Sequence, residues 1–400
     1  MKKRTKILIG IWLGIILINL LAWCSSGFCD GYVTHLFPVW VNTYGRLTGN
    51  FPFSVGEWML YLAVLYITVN LILCIPAWFL HTRRRGKKLL AWLAVTPWFV
   101  TLVCVLMTLN CAILYHCTTL KAQLWETVRE QEDGTEGEVE ASLEQLIALR
   151  EKIVINCNRL SKEMTRDGQG YIVYEVSAGE NGQDAFGTGT ITAEYDSLAS
   201  EAILAMYGIA DEFPRLSGYY PNPKPLAASW FFSQQYMCGY YFPFSMEANY
   251  NDMMYLMNIP YTICHELSHL KGYIYEDEAN FFAYLACVES GNALFEYSGY
   301  LGVLYYVDSD VRKALESCGQ TAYYEQLTPI DEQVYLDNCF LTPEAWSEVE
   351  KQSFLDTELV EQASDAFLEA NLTLNGVEDG TLSYSRVVEL LLLYDKQTES

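Results

Sequence analysis

Three uninterrupted apolar runs dominate the start of the chain. Ile7–Trp23, Trp58–Leu80 and Leu89–Leu114 contain no Lys, Arg, Asp or Glu, and each is near the length of a bilayer-spanning helix. They predict a membrane anchor over residues 1–115, with helices at about 7–23, 58–80 and 89–114, and a separate domain over 116–400. Between the first two runs, residues 24–57 are rich in aromatics and end in Phe51-Pro-Phe-Ser-Val-Gly-Glu57, as expected of side chains anchored at a membrane interface. Asn70 and Asn110 fall within the runs, where helix–helix hydrogen bonds are their expected use.

Beyond the third run the pattern changes to helical periodicity. Residues 119–131 read as a helix, and Glu130–Glu140 as an acidic break. Leu143, Leu146, Ile147, Leu149, Ile153, Ile155 and Leu160 recur at helical spacing across Ala141–Thr165. Gly168–Gly189 is Gly-rich with short β-like runs, and Ala193–Phe213 is again helical. The aromatic runs Ala227–Ser233 and Met237–Phe244 suit strands, with Pro243 confining the second to a sheet edge or strand end. Helices follow over Asn258–Gly272, from Glu278 to Glu289 and on to about Leu368, and a loop at Asn375–Ser383 enters a last one. The expected fold is mainly α: three N-terminal transmembrane helices, then an α+β domain with a small sheet.

Charge gives this anchor a direction. Lys2, Lys3, Arg4 and Lys6 precede the first run; Arg83, Arg84, Arg85, Lys87 and Lys88 separate the second from the third; the intervening loop holds Arg46 alone. The positive-inside bias places the N-terminus and the basic loop in the cytoplasm, so residues 116–400 emerge outside. The first run is expected to remain as an uncleaved anchor. Residues 1–115 carry ten Lys/Arg against Asp30 and Glu57, so the whole-chain charge of −24 leaves −32 for the remainder. A domain that acidic repels phosphate backbones, which argues against nucleic acid as a partner. Of the twelve cysteines, Cys24 with Cys29 and Cys318 with Cys339 are pairs that an oxidising exterior would allow to join.

The chemistry concentrates in Cys264-His265-Glu266-Leu267-Ser268-His269. Histidines four apart lie on one helix face, where both imidazoles reach one ion, and Glu266 projects beside them to take a proton from a metal-bound water. The chain has five histidines, and His35, His81 and His116 all lie in or beside the anchor. A catalytic zinc needs a third protein ligand and an open position. Glu276-Asp277-Glu278 is the nearest supply, yet on an unbroken helix Glu276 would lie about 10 Å beyond His269 along the axis. A turn at Gly272 must therefore fold a second helix back. Glu276 is the expected ligand, with Glu278 the alternative and Asp277 on the opposite face; the acid not used would orient a histidine. His/His/Glu with an open position suits one zinc ion best. Ser268, Lys271 and the acids at 276–278 exclude placing the motif inside the bilayer.

Other positions surround this centre in expectation. Tyr384 and Arg386, entering the last helix, are candidates to stabilise an oxyanion, a role that needs a donor from elsewhere in the chain. Glu247, Asn249 and Asn251 either line a substrate cleft or cap and turn the chain, and Tyr240 is a further cleft candidate.

Six ordered segments carry a resemblance. They are Phe51-Pro-Phe-Ser-Val-Gly, Pro223-Lys-Pro, Gly239-Tyr-Tyr-Phe-Pro-Phe-Ser-Met-Glu-Ala-Asn249, Cys264-His-Glu-Leu-Ser-His, Glu276-Asp-Glu-Ala-Asn-Phe281 and Ser383-Tyr-Ser-Arg-Val-Val-Glu-Leu-Leu. From about Phe51 to Tyr394 the chain resembles the domain-of-unknown-function family thirty-eight-ten, bacterial membrane-anchored proteins of zincin-like type. Glu276-x-Glu278-Ala279-Asn280 is also similar to the Glu-x-x-x-Asp motif of membrane-bound gluzincin peptidases, whose first glutamate binds zinc. Here Asn280 replaces the aspartate, either orienting a ligand from behind or serving as an alternative ligand, and the interval after His269 is shorter. The resemblance implies a zincin-like metallopeptidase in the bacterial cytoplasmic membrane, its C-terminal domain extracytoplasmic and its partners the lipid bilayer and a peptide or protein substrate. The alternative is a zinc-stabilised envelope sensor or peptide-binding scaffold that does not cut.

Overall fold

Apolar stretches without ionisable side chains satisfy their backbone in lipid only by closing it on itself, and the helix is the local way to do so. In a computed structural model, which describes residues 3–79, 91–131, 142–173, 195–374 and 386–399, three helical stretches are long and apolar enough to cross a membrane. They are Lys3–Cys24, Val55–Leu73 and Ala91–Arg129, the last running well past the expected end at Leu114. The basic loop from Arg83 to Lys88, most of the acidic break, most of the Gly-rich stretch and Tyr384 lie outside the described residues.

The chain divides into two units, the first Met1–Cys117 with Phe242–Glu247 and the second Thr118–Tyr241 with Ala248–Ser400. In the first unit, α1 (Lys3–Cys24), α2 (Ser26–His35), α3 (Val55–Phe79) and α4 (Thr96–Met107) are joined by polar bonds between helices. Trp12 Nε1 donates to Thr101 Oγ1 at 3.0 Å, Asn19 Nδ2 to Thr108 Oγ1 at 3.1 Å, and Thr96 Oγ1 to Asn70 Oδ1 at 3.4 Å. Asn70 is used as expected, whereas Asn110 Nδ2 donates at 2.7 Å to the carbonyl of Pro243, which lies in a turn. Glu247 accepts from the amides of Val55 (3.2 Å) and Gly56 (2.7 Å), capping the exposed donors at the start of α3. This carboxylate is fully buried, so Glu247 serves as a helix cap here, the second of the two uses expected of it. Gly56 is required in that corner, because a Cβ would stand 2.5 Å from the Phe242 ring.

The second unit opens with α5 (Leu120–Gln131), α6 (Leu143–Glu163) and α7 (Tyr195–Gly208). A capping box starts α6, with Ser142 and Gln145 satisfying each other's amides. Next come β1 (Lys224–Pro225), α8 (Ser229–Ser233), β2 (Gly239–Phe242) and β3 (Glu247–Tyr250). The sheet order is β1-β3-β2, with β1 parallel to β3 in the register Lys224↔Asn249 and Pro225↔Tyr250. One expected strand is corrected: Ala227–Ser233 is not extended but holds the short helix α8. Its Trp230 packs against Met253, Leu341, Ala345 and Val349, and that tertiary contact overrides the β preference of an aromatic run. The second run behaves as its proline dictates, β2 stopping at Phe242 beside Pro243.

Then follow α9 (Ile259–His269), α10 (Glu276–Val288), α11 (Ala293–Ser317), α12 (Glu332–Asp337), α13 (Pro343–Gln352), α14 (Thr357–Leu374) and α15 (Val387–Glu399). The core sits where α9, α10 and α11 pack on one another, and nearly every residue of α10 is buried. Cys24, Cys29, Cys318 and Cys339 are all free thiols, so neither of the allowed pairings is formed.

Candidate metal centre

The local chain logic of α9 and α10 brings the site together. Pro260 fits the first turn of α9, where no intrahelical amide is needed, and Gly272 takes φ +83 just beyond its end. That reversal frees the chain to start α10 at Glu276, whose three leading acids complement the helix N-terminus. Arg215 steadies the turn, donating from Nε to the Lys271 carbonyl at 3.0 Å and lying 3.6 Å over the Tyr273 ring.

Among the described residues, one group of His, Cys, Asp and Glu side chains converges as metal ligands do: His265, His269 and Glu276, with ligand atoms all within 4.8 Å of one another. The two histidine Nε2 atoms are 3.1 Å apart, and Glu276 Oε2 lies 3.0 Å from His265 Nε2 and 3.8 Å from His269 Nε2. Both rings are oriented from behind. Asn280 Oδ1 lies 2.9 Å from His265 Nδ1, and the Tyr273 carbonyl 2.7 Å from His269 Nδ1. Each acceptor holds a proton on Nδ1, which leaves the Nε2 lone pairs facing one another and the Glu276 oxygen. Such facing lone pairs repel unless a proton or a cation lies between them, so this donor set fits a divalent metal of zinc's preference.

Electrostatics sharpen the fit. Burial opposes charge on His265, but the hydrogen bond and charge of Glu276, then Glu266 and Asn280, hold it above its ordinary 6.5. Burial takes His269 the other way, to about 4, despite the nearby Glu276. At neutral pH His269 therefore offers a free lone pair, while the acids around His265 favour a proton on it, against which a cation must compete. Apparent zinc affinity of metal-free protein should consequently climb as pH rises through and above 6.5, with proton release on binding. Calorimetry in buffers of different ionisation enthalpy counts that proton; a pH-independent affinity would contradict this account.

Glu266 stands beside the cluster rather than in it. Burial pushes its pKa up to about 8, with the Glu276 charge raising it further and the His265 charge and the Tyr241 amide opposing. Its Oε2 is buried without a hydrogen-bond partner among the described residues. Strand β2 walls this side: a Cβ on Gly239 would stand 2.6 Å from Glu266 Oε1, and the Tyr241 ring lies 6.0 Å from that of His269. Gly239→Ala should therefore displace the Glu266 carboxylate while leaving His265, His269 and Glu276 in place. A shift in the Glu266 titration with zinc uptake equal to wild type checks it, and an unshifted titration would show that the wall yields.

The remaining expected positions are placed as follows. Glu278, the alternative ligand, lies outside the cluster: two residues from Glu276 it leaves on another helix face, and it accepts from the Leu120 amide at 2.6 Å. Asn280 is behind His265 as a supporting group. Arg386 pairs with Asp277 at 3.4 Å. Asn249 Nδ2 donates to the Tyr240 carbonyl at 3.2 Å, tying two strands, and Glu247 caps α3. Tyr240 itself is half-buried. The Tyr273 carbonyl escaped the sequence reading, since a backbone acceptor carries no residue signal.

Compared with known proteins, the chain matches the family model described as protein of unknown function (DUF3810) over residues 32–392, and it belongs to that family. No curated protein and no solved structure matches it.

Proposed function

We propose that this family member is a membrane-anchored, zinc-dependent metallopeptidase, hydrolysing peptide bonds outside the bacterial cytoplasmic membrane. The observation that carries the reading is the convergence of His265, His269 and Glu276 with Glu266 buried alongside, its Oε2 without a partner. His265, His269 and Glu276 would hold one zinc ion. When bound, the metal supplies Lewis acidity, lowering the pKa of a water in its open position and polarising the scissile carbonyl. Asn280 and the Tyr273 carbonyl fix the ring orientations that the ligand set needs. Glu266 takes the proton as the water oxygen adds to the carbonyl carbon, then returns it to the departing amine as the C–N bond breaks. The wall at Gly239 keeps that carboxylate beside the cluster and away from bulk water.

The three apolar stretches are compatible with membrane anchoring, and the charge bias of the anchor supports an extracytoplasmic second unit. The test is a peptide-library digest by the full-length protein before chelation, after chelation and after zinc is restored. Cleavage that disappears with the chelator and returns with zinc is expected. Zinc held at one equivalent without any cleavage would favour the sensor or scaffold reading instead.

A further inference from the structure

Addition of water to a carbonyl builds negative charge on the carbonyl oxygen, and a positioned hydrogen-bond donor there is worth a large part of the barrier. Arg386 pairs with Asp277, and Tyr384 lies outside the described residues, so neither supplies an observed donor at this place. Helix α11 offers one. Ser298, Gly302 and Tyr306 recur at i, i+4 and i+8, along one face of the helix. Ser298 Oγ accepts from the Tyr261 amide at 3.1 Å and donates to the Met257 carbonyl, so the stripe begins at the N-terminal turn of α9. Gly302 lets the helices approach closely, since a Cβ there would stand 2.5 Å from the Tyr261 ring.

One turn further on stands Tyr306. It is half-buried. The contact of Gly302 with Tyr261, one turn before His265 on α9, carries Tyr306 toward the ligand-bearing turn, and burial followed by the charges of Cys238 and Glu276 raises its pKa, as that position requires. The hydroxyl makes no hydrogen bond to the described residues. Tyr261, its neighbour on the other helix, is by contrast spent on the Asn280 carbonyl at 3.2 Å. A half-buried phenol whose hydroxyl has no hydrogen-bond partner among the described residues, one turn beyond the contact with Tyr261, is a donor held for something that arrives.

We propose that Tyr306 is a catalytic residue, donating its O–H hydrogen bond to the oxyanion that forms on the substrate carbonyl. The assignment rests on the peptidase reading above. The electron pair of the C=O bond moves to oxygen as the water oxygen adds to carbon, and the water proton passes to Glu266. Tyr306 keeps its own proton throughout. The pair then reforms the carbonyl as the C–N bond breaks, and Glu266 protonates the amine.

Inorganic phosphate is a tetrahedral oxyanion probe that requires no turnover. Its affinity for the zinc-loaded full-length protein is measured by calorimetry for wild type, Tyr306→Phe and Tyr305→Phe, alongside zinc content and kinetics on the best-cleaved library peptide. Tyr306→Phe should weaken phosphate about tenfold, the scale of one hydrogen bond to a charged group. It should lower kcat about a hundredfold with KM and zinc content unchanged, while Tyr305→Phe matches wild type. Wild-type phosphate affinity in Tyr306→Phe would overturn the assignment alone, as would loss of zinc from that variant. A wild-type chain that binds no zinc would overturn the peptidase reading and Tyr306 with it.

Discussion

His269→Ala protein is expected to retain no stoichiometric zinc and to hydrolyse no peptide. The substitution removes one of the three donors that converge within 4.8 Å and leaves a two-donor site. Loss of a group that merely orients a ligand already costs about 10–100-fold in metal affinity, so loss of the ligand itself should exceed a hundredfold. His269 is buried and also holds the Tyr273 carbonyl, so the alanine opens a cavity and strands an acceptor. His269→Gln keeps most of the volume and separates metal loss from misfolding. Circular dichroism and a thermal melt of both variants show which has occurred; a folded variant that still holds one zinc would remove His269 from the ligand set.

Glu266→Gln should do the reverse, keeping the metal and losing the chemistry. The residue stands outside the ligand cluster, and the amide is nearly isosteric, so its carbonyl oxygen can take over the hydrogen bond from the Tyr241 amide. What disappears is the only basic atom assigned to the water proton. General-base catalysis contributes about 10²–10⁴-fold, and turnover should fall by that amount with KM little changed. Wild-type turnover in this variant would mean that another group moves the proton, and the role given to Glu266 would be wrong.

How legible the site was depended on how local each contact is. His265 and His269 are read from spacing because four residues on a helix define a face, and Glu276 follows once Gly272 is taken as a turn. The same argument fails at Glu247, whose amide partners Val55 and Gly56 lie 192 and 191 residues away. No local pattern announces a cap supplied from so far along the chain. Ala227–Ser233 misled for a different reason, since aromatic residues suit a strand and a buried helix equally and only packing of Trp230 decides. Arg386 was placed correctly at the start of the last helix, but its partner Asp277 is a matter of how α10 turns its faces. Tyr306 carried no signal at all, because what brings it toward α9 is the close approach of α11 at Gly302.

The central claim is tested most directly by the zinc content of purified full-length protein, measured by mass spectrometry of the metal after removal of excess ion. One zinc per chain in wild type and in Glu266→Gln, and none in His269→Ala, is the predicted result. A folded wild-type chain that takes up no divalent metal would contradict the account at its root.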